Sequence, residues 1–147
     1  PIETVRPMGR SAIGVKGIDV KDSDCVLTMV KVTENDEVVT VSENGIGKRT
    51  EISDYPASKN RGGKGYAFYK PTTRTGKVSG VITLSNNEDI LVTTLNGQVI
   101  RIKSSCISLL GRTAQGVKLI NLSDDDTVSS VAKIVSSDNE EGADDNE

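Results

Sequence analysis

Gly9-Arg10-Ser11-Ala12-Ile13-Gly14-Val15-Lys16-Gly17-Ile18 returns 102 residues later as Gly111-Arg112-Thr113-Ala114-Gln115-Gly116-Val117-Lys118-Leu119-Ile120. Half of that interval is 51 residues, and this step brings Gly65 and Tyr66 into phase with both copies. A period near fifty residues is typical of stacked supersecondary units, most often the blades of a propeller. The sequence therefore predicts an array of repeats.

Short segments rich in Val, Ile and Thr between turn residues predict β-strands. They are Cys25–Val32, Val38–Val41, Ile90–Thr94 and Val99–Ile102. The segments Val26–Val30, Val78–Ile82 and Val128–Ala132 also match one another in phase. The fold class is therefore predicted to be all-β, with consecutive antiparallel blades.

Two Asn-Gly pairs, Asn44-Gly45 and Asn96-Gly97, each lie between two such segments. Asn-Gly favours the type I′ turn, because both central residues of that turn have positive φ. Each repeat is therefore predicted to contain a tight hairpin. Asn35-Asp36 and Asn86-Asn87 mark the preceding turn.

The repeat phase also predicts how the chain is divided. We expect the end of one blade at 1–20, blades at 21–70 and 71–122, the start of a final blade at 123–135, and an acidic disordered tail at 136–147. These segments amount to two to three blades, which indicates part of a larger array, because a repeat buries its apolar face only against neighbours. There is no Trp, which argues against a propeller of the WD type.

Charge is segregated along the chain. Residues 138–147 hold six of the 21 acidic residues and no base, which leaves 15 acidic residues against 18 Lys and Arg in the remainder. A mildly basic body favours a polyanionic partner. The acidic tail is open to two interpretations, competition with that partner for the basic surface or an aid to solubility.

Several functional classes have no support in the residues. There is no His for general base work and no Ser in a nucleophile elbow. The two cysteines, Cys25 and Cys106, do not form a zinc-binding pair. The acidic run Asp124–Asp126 is interpreted as a turn signal and not as a metal site. No apolar segment approaches the length of a membrane span. We expect no membrane association, no catalytic residue and a reducing, cytoplasmic setting.

One glycine-rich stretch, Lys59-Asn60-Arg61-Gly62-Gly63-Lys64-Gly65, carries the strongest site signal. It is neither a nucleotide-binding P-loop, because Lys64 is not followed by Ser or Thr, nor a dinucleotide-binding turn. Glycines allow close backbone approach, and the flanking cations suit phosphate oxygens. A simple surface turn is an equally good interpretation of the same residues.

Other basic residues recur at the repeat phase: Arg10 with Arg112, Lys16 with Lys118, and Arg49 with Arg101. If each blade presents the same edge, such residues form a cationic belt that suits the phosphates of a duplex. For any single residue, a solvated charge on a strand edge is the competing interpretation. Recurrence favours the belt for the set.

Together, the paired Gly-Arg-(Ser/Thr)-Ala-x-Gly-Val-Lys blocks, the Asn-Gly-x-x-x-Arg hairpins and Arg61–Gly65 resemble the C-terminal domain of the A subunit of bacterial DNA gyrase. The resemblance spans roughly residues 1 to 135. It implies a strand-exchanged propeller called a β-pinwheel, whose basic rim wraps DNA. The glycine-rich stretch resembles the gyrase A box, although Lys59 and Asn60 depart from its pattern and the box usually opens the domain.

The resemblance further implies part of a type II topoisomerase that supercoils DNA negatively in bacterial cytoplasm. Its partners are double-stranded DNA, the gyrase B subunit, and a second copy of the A subunit, and it uses Mg²⁺ and ATP bound elsewhere. The expected DNA-contacting residues are Lys59, Asn60, Arg61, Gly62, Gly63, Lys64, Gly65, Arg10, Lys16, Lys48, Arg49, Arg101, Lys103, Arg112 and Lys118. Two alternatives remain open: the C-terminal domain of the A subunit of topoisomerase IV, and a propeller that serves as a protein-interaction scaffold.

Overall fold

The computed structural model describes residues 2–58, 60–85 and 88–134. In these residues the strands are β1 Glu37–Ser42, β2 Ile46–Glu51, β3 Val78–Leu84, β4 Asp89–Thr94, β5 Val99–Ile102, β6 Val117–Lys118 and β7 Val128–Ile134. Three single-turn 3-10 helices lie at Ile2–Thr4, Ile52–Asp54 and Ser104–Cys106, and none of them is long and apolar enough to cross a membrane. The all-β prediction is confirmed. Lys59, Asn86-Asn87 and the predicted tail at 136–147 lie outside the described residues.

Both predicted hairpins form, but their turn type differs from the prediction. A type I′ turn would place Asn44 and Gly45 at its two centres. Instead, the Gly45 amide donates to the Ser42 carbonyl at 3.0 Å, and Gly45 has a φ of +71°. Glu43 and Asn44 are therefore central, and the glycine follows them as the left-handed residue of a three-residue loop. Gly97 repeats this geometry with a φ of +83°.

The first sheet is built by strand exchange. Its order is β3-β1-β2-β6, so β1 and β2 come from one repeat while β3 and β6 come from the next. All of its pairs are antiparallel, and β6 pairs with β2 through Ile46 and Gly47. Because β2 carries a neighbour on each side, the following repeat completes the sheet.

The second sheet repeats the same plan over the order β5-β4-β7. The strand β4 pairs with β5 and β7 as β1 pairs with β2 and β3. Even the irregularity recurs, since the register shifts between Val41 and Ser42 in one sheet and between Thr93 and Thr94 in the other. The predicted repeat phase is therefore also a repeat of backbone pairing.

The strand predicted at Cys25–Val32 is not formed. By phase this segment corresponds to β3 and β7, each of which pairs with the first strand of the preceding hairpin. No such hairpin lies beside it within the described residues, so its amides have no ladder to join. Val26, Leu27 and Met29 are accordingly exposed.

Two glycines allow β6 to reach β2. A Cβ added to Gly116 would lie 2.5 Å from the Gly47 carbonyl oxygen, and one added to Gly47 would lie 2.4 Å from Leu119 Cδ1 and 2.8 Å from the Thr40 carbonyl oxygen. Gly116 also has a φ of +94°. These separations are far below ordinary carbon contacts, so the exchanged strand fits only because both positions lack a side chain.

The two sheets share one apolar core. Its buried members come from both repeats and from the exchanged segment: Val39, Val41, Leu84, Ile90, Val92, Ile107, Ile120 and Val128. Between β3 and β7 a further glycine allows close packing, because a Cβ at Gly80 would lie 2.7 Å from Val131 Cγ2.

The turn before β1 is fixed by a buried carboxylate. Asp36 accepts hydrogen bonds from the Ser85 hydroxyl at 2.6 Å and the Thr33 amide at 2.6 Å, and so links the start of β1 to the end of β3. The Ser85 hydrogen bond, followed by those from Thr33, lowers the pKa of Asp36. A carboxylate with a lowered pKa stabilises the fold above its unfolded pKa of about 3.9.

We expect Asp36→Asn to lower the free energy of unfolding at pH 6 to 7. Because the carboxylate contribution is lost as the pH falls through the folded pKa, the difference between the two proteins should shrink below about pH 4. Urea unfolding of both proteins across this pH range measures this difference in the free energy of unfolding. A difference that stays constant from pH 7 to pH 3 would contradict the carboxylate's role.

The close approach of Gly116 makes a second prediction. Gly14 occupies the same repeat position with a φ of +91°, but a Cβ there would meet nothing within 4 Å. Gly14→Ala should therefore cost only the left-handed strain of about 1 to 2 kcal/mol. Gly116→Ala should cost about 1 to 3 kcal/mol more, because it also forces β6 away from β2. Equal losses in urea unfolding would show that the glycine contact is not needed.

Candidate nucleic-acid interface

The cationic loop, residues 60–65, is anchored through its backbone to an earlier repeat. The Gly62 amide donates to the Gly17 carbonyl at 2.8 Å, and the Asp19 amide donates to the Gly63 carbonyl at 2.9 Å. Gly62 has a φ of +76°, and a Cβ there would lie 3.3 Å from the Lys16 carbonyl oxygen. The glycines thus hold the loop against residues 16–19 and leave its cations outside.

Two of the predicted cations meet at an open groove of about 590 Å³ lined by Thr4, Lys16, Asn60, Arg61 and Gly62. The Arg61 guanidinium donates to the Thr4 carbonyl at 3.1 Å. Lys16 forms an ion pair with Asp19 and keeps 64% of its side chain exposed. The groove offers two cations and an amide on one surface, which is a donor set that suits phosphate oxygens.

Arg10, Arg61 and Arg112 are separated by equal steps of 51 residues. Arg10 and Arg61 are exposed, whereas Arg112 is half-buried. The Arg112 guanidinium donates to the Ala67 carbonyl and lies 5.8 Å from the centroid of the Tyr66 ring. The glycines that follow these arginines, Gly14, Gly65 and Gly116, all have positive φ, so the local backbone repeats while the exposure of the arginine does not.

The structure overturns the prediction that Lys48 contacts DNA. Its side chain is completely buried, and its Nζ donates to the carbonyls of Phe68, Gly111 and Arg112. Burial, followed by the positive charge of Arg112, lowers the pKa of Lys48. An ammonium that is buried and held by three carbonyls cannot reach a phosphate.

Arg49 is largely buried as well, since only 17% of its side chain is exposed. It pairs with Glu37 and donates from Nε to the Ile107 carbonyl at 2.8 Å. Its repeat counterpart Arg101 pairs with Asp89 at 2.7 Å but remains 61% exposed. The recurrence of these arginines therefore reflects a cross-strand ion pair in each hairpin, and only Arg101 keeps a surface for a ligand.

The other predicted residues lie at the surface. Exposed positions in the described residues include Asn60, Gly63, Lys64, Gly65, Lys103 and Lys118. Lys118 belongs to the exchanged strand β6. The prediction for Lys59 is not addressed, because this residue lies outside the described ones.

Sequence reasoning missed the partners of these cations. Glu37 precedes Arg49 by twelve residues, and Asp89 precedes Arg101 by twelve, so a repeated acid-to-arginine spacing was the available signal. Tyr66 as a platform for Arg112 had no comparable signal, because the contact joins two different repeats. The acidic run Asp124–Asp126 lies in a turn, since the Asp126 amide donates to the Ser123 carbonyl at 3.0 Å, and the Asp126 carboxylate accepts the amides of Asn96 and Thr127.

Comparison with known proteins agrees with this geometry. The family model of the DNA gyrase C-terminal domain, a β-propeller, matches residues 1–33, 36–85 and 88–134. The DNA gyrase A subunit of Staphylococcus aureus strain MRSA252 is 46% identical over 146 residues, which cover 98% of this chain and 16% of that protein. The same protein from strain NCTC 8325 is 47% identical over 136 residues, which cover 91% of this chain and 15% of that protein. The chain thus spans about one sixth of the length of these relatives.

Solved structures show the same architecture. A DNA gyrase A C-terminal domain matches with a TM-score of 0.78 and 32% identity, over 89% of this chain and 44% of that one. The C-terminal domain of DNA topoisomerase IV matches with a TM-score of 0.78 and 20% identity, over 89% of this chain and 41% of that one. At 20% identity the second match shows a shared fold alone.

The two recurring arginines allow a matched test of their roles. Arg49→Met should lower the free energy of unfolding by about 1 to 3 kcal/mol, because it removes a largely buried ion pair and a hydrogen bond. Arg101→Met should change it by less, about 0 to 1 kcal/mol, since 61% of the Arg101 side chain lies in solvent, which weakens its ion pair with Asp89. Urea unfolding of both variants measures the difference. Equal effects would contradict the distinction drawn from their exposure.

Proposed function

The chain belongs to the DNA gyrase C-terminal domain family, and from this premise we propose that it binds double-stranded DNA and bends it along its repeats. The observation that carries the proposal is the groove where Arg61 and Lys16 meet beside the backbone-anchored cationic loop. Contacts of this type fix a duplex through its phosphates and carry little sequence information. The binding is therefore expected to depend steeply on salt and weakly on base sequence.

The mechanism we propose is bending by distributed phosphate contacts. Bending a duplex of 20 to 30 base pairs by 40 to 90 degrees costs on the order of 1 to 6 kcal/mol. A single exposed cation does not offset this cost, but several cations placed at repeated positions do so together. Arg10, Lys16, Arg61 and Lys64 supply such positions on the earlier repeats, and Arg101, Lys103 and Lys118 supply them on the later ones.

For the complete protein we propose the A subunit of DNA gyrase, a type II topoisomerase that introduces negative supercoils. The 46% and 47% identities to gyrase A subunits favour this over topoisomerase IV, for which the likeness is one of fold. We infer partnership with the gyrase B subunit, and with a second copy of the A subunit. Mg²⁺ and ATP would act in other domains of the enzyme. This segment would bind and bend DNA without making or breaking covalent bonds.

We further propose that the protein works in the bacterial cytoplasm, where its DNA substrate is. Cys25 and Cys106 are both free thiols at the surface, which suits a reducing compartment.

The cationic loop is tested by salt titration. Arg61→Ala combined with Lys64→Ala should weaken duplex binding and flatten the slope of log K against log salt by about 0.9 for each phosphate that is no longer neutralised. Fluorescence anisotropy at several salt concentrations measures the slope.

The matched control for this titration is Arg49→Met, which removes a cation that is paired with Glu37 and largely buried. We expect the parent slope for this control. The proposed contacts would be contradicted by an unchanged slope in the double variant, or by an effect in the control as large as in the double variant.

A further inference from the structure

The Lys48 ammonium lies in a cage of three main-chain carbonyls. Its Nζ is 2.9 Å from the Phe68 oxygen and 3.2 Å from the Gly111 oxygen, and it also donates to the Arg112 oxygen. An ammonium has three N–H donors and no acceptor. Three carbonyls therefore satisfy it completely, which explains how a charged side chain is tolerated with no exposure at all.

The cage joins two consecutive copies of the same loop. Phe68 lies three residues after the cationic loop, while Gly111 and Arg112 begin the equivalent stretch one repeat later. Arg112 strengthens the contact from the other side, because its guanidinium donates to the Ala67 carbonyl and lies over the Tyr66 ring. We call this cluster of Lys48, Tyr66–Phe68 and Gly111–Arg112 the inter-repeat joint.

The joint also coincides with strand exchange. Lys48 lies in β2, whose outer edge is covered by β6 and by residues 108–110, since the Arg49 amide donates to the Ser108 carbonyl and the Leu110 amide donates to the Arg49 carbonyl. The counterpart of Lys48 in β5 is Ile100, and β5 is an edge strand within the described residues. The lysine is thus present on β2, against which a following repeat docks. An apolar residue takes its place on β5, against which no repeat docks within the described residues.

We propose that Lys48 is a positioning residue for DNA bending, which fixes the step between the Arg61 loop and the Arg112 loop without touching the duplex. This inference rests on the proposed function. A bent duplex needs its cationic contacts at set intervals, and ordering a loose joint at the moment of binding would weaken the complex. If the joint is already ordered in the free protein, the free energy of the phosphate contacts can offset the cost of bending the DNA.

The test uses the whole chain and a duplex labelled at its two ends with a fluorescent donor and acceptor. Lys48→Met removes the ammonium donor from the carbonyls of Phe68, Gly111 and Arg112. We expect this variant to keep the parent's salt slope but to bring the duplex ends together less than the parent does. In the free protein, the amides of Leu110 and Ala114 should exchange with deuterium faster by about tenfold, the equivalent of about 1.4 kcal/mol. The Leu110 amide donates to the carbonyl of Arg49, next to Lys48, and the Ala114 amide donates to the carbonyl of Gly111, which belongs to the joint.

Two further variants make the result decisive. Tyr66→Leu removes the exposed side of the joint, so it should also reduce bending at an unchanged slope, even if Lys48→Met does not fold. Lys133→Met removes one positive charge from β7, where Lys133 pairs with Glu88, and should bend DNA as the parent does. It is the control for net charge.

Three results would overturn the inference in distinguishable ways. Parent bending by both Lys48→Met and Tyr66→Leu would show that the joint does not position the contacts. A slope flattened by about 0.9 in Lys48→Met would indicate a direct phosphate contact instead. A parent chain that shows no salt-dependent duplex binding would remove the proposed function itself, and the positioning role with it.

Discussion

The close approach of β6 to β2 is the constraint on which the rest of the structure depends. A strand of only two residues pairs with the edge of a hairpin from the preceding repeat. It fits because a side chain at Gly116 would meet the Gly47 backbone, and one at Gly47 would meet Leu119 and the Thr40 carbonyl. Residues 108–110 extend the contact along the same edge. An uncovered edge would be a template for unwanted pairing, so the exchange both protects the first sheet and binds its hairpin to the repeat that follows.

This arrangement separates two kinds of basic residue that have similar sequence surroundings. Lys48 and Arg49 lie on the covered strand, where carbonyls and Glu37 occupy their donors. Lys16, Arg61 and Lys64 lie on loops that the glycines anchor through the backbone, which leaves the side chains outside. The fold thus uses some cations to hold the repeats together and leaves others for a polyanion.

The sequence predicted the hairpins and their phase well, because β1, β2, β4 and β5 are local strands bounded by turn residues. It failed at Cys25–Val32, where strand formation depends on a neighbour that no local pattern reveals. It also failed at Lys48, since the repeat phase predicts equivalent backbone positions but not burial. Three carbonyls from residues 20 and more than 60 positions away form the cage, and such contacts become visible only in the folded chain. That Lys16 and Arg61 line the same groove was missed for the same reason.

Lysine footprinting with and without a DNA duplex tests this account most directly, because it reports the exposure of each lysine in the folded chain and its protection by the partner. The account predicts that Lys16 and Lys64 react freely in the unbound protein and lose reactivity when the duplex is added, while Lys48 stays unreactive in both states. Lysines 16 and 64 that react equally with and without DNA, or a Lys48 as reactive as these two in the folded protein, would contradict it.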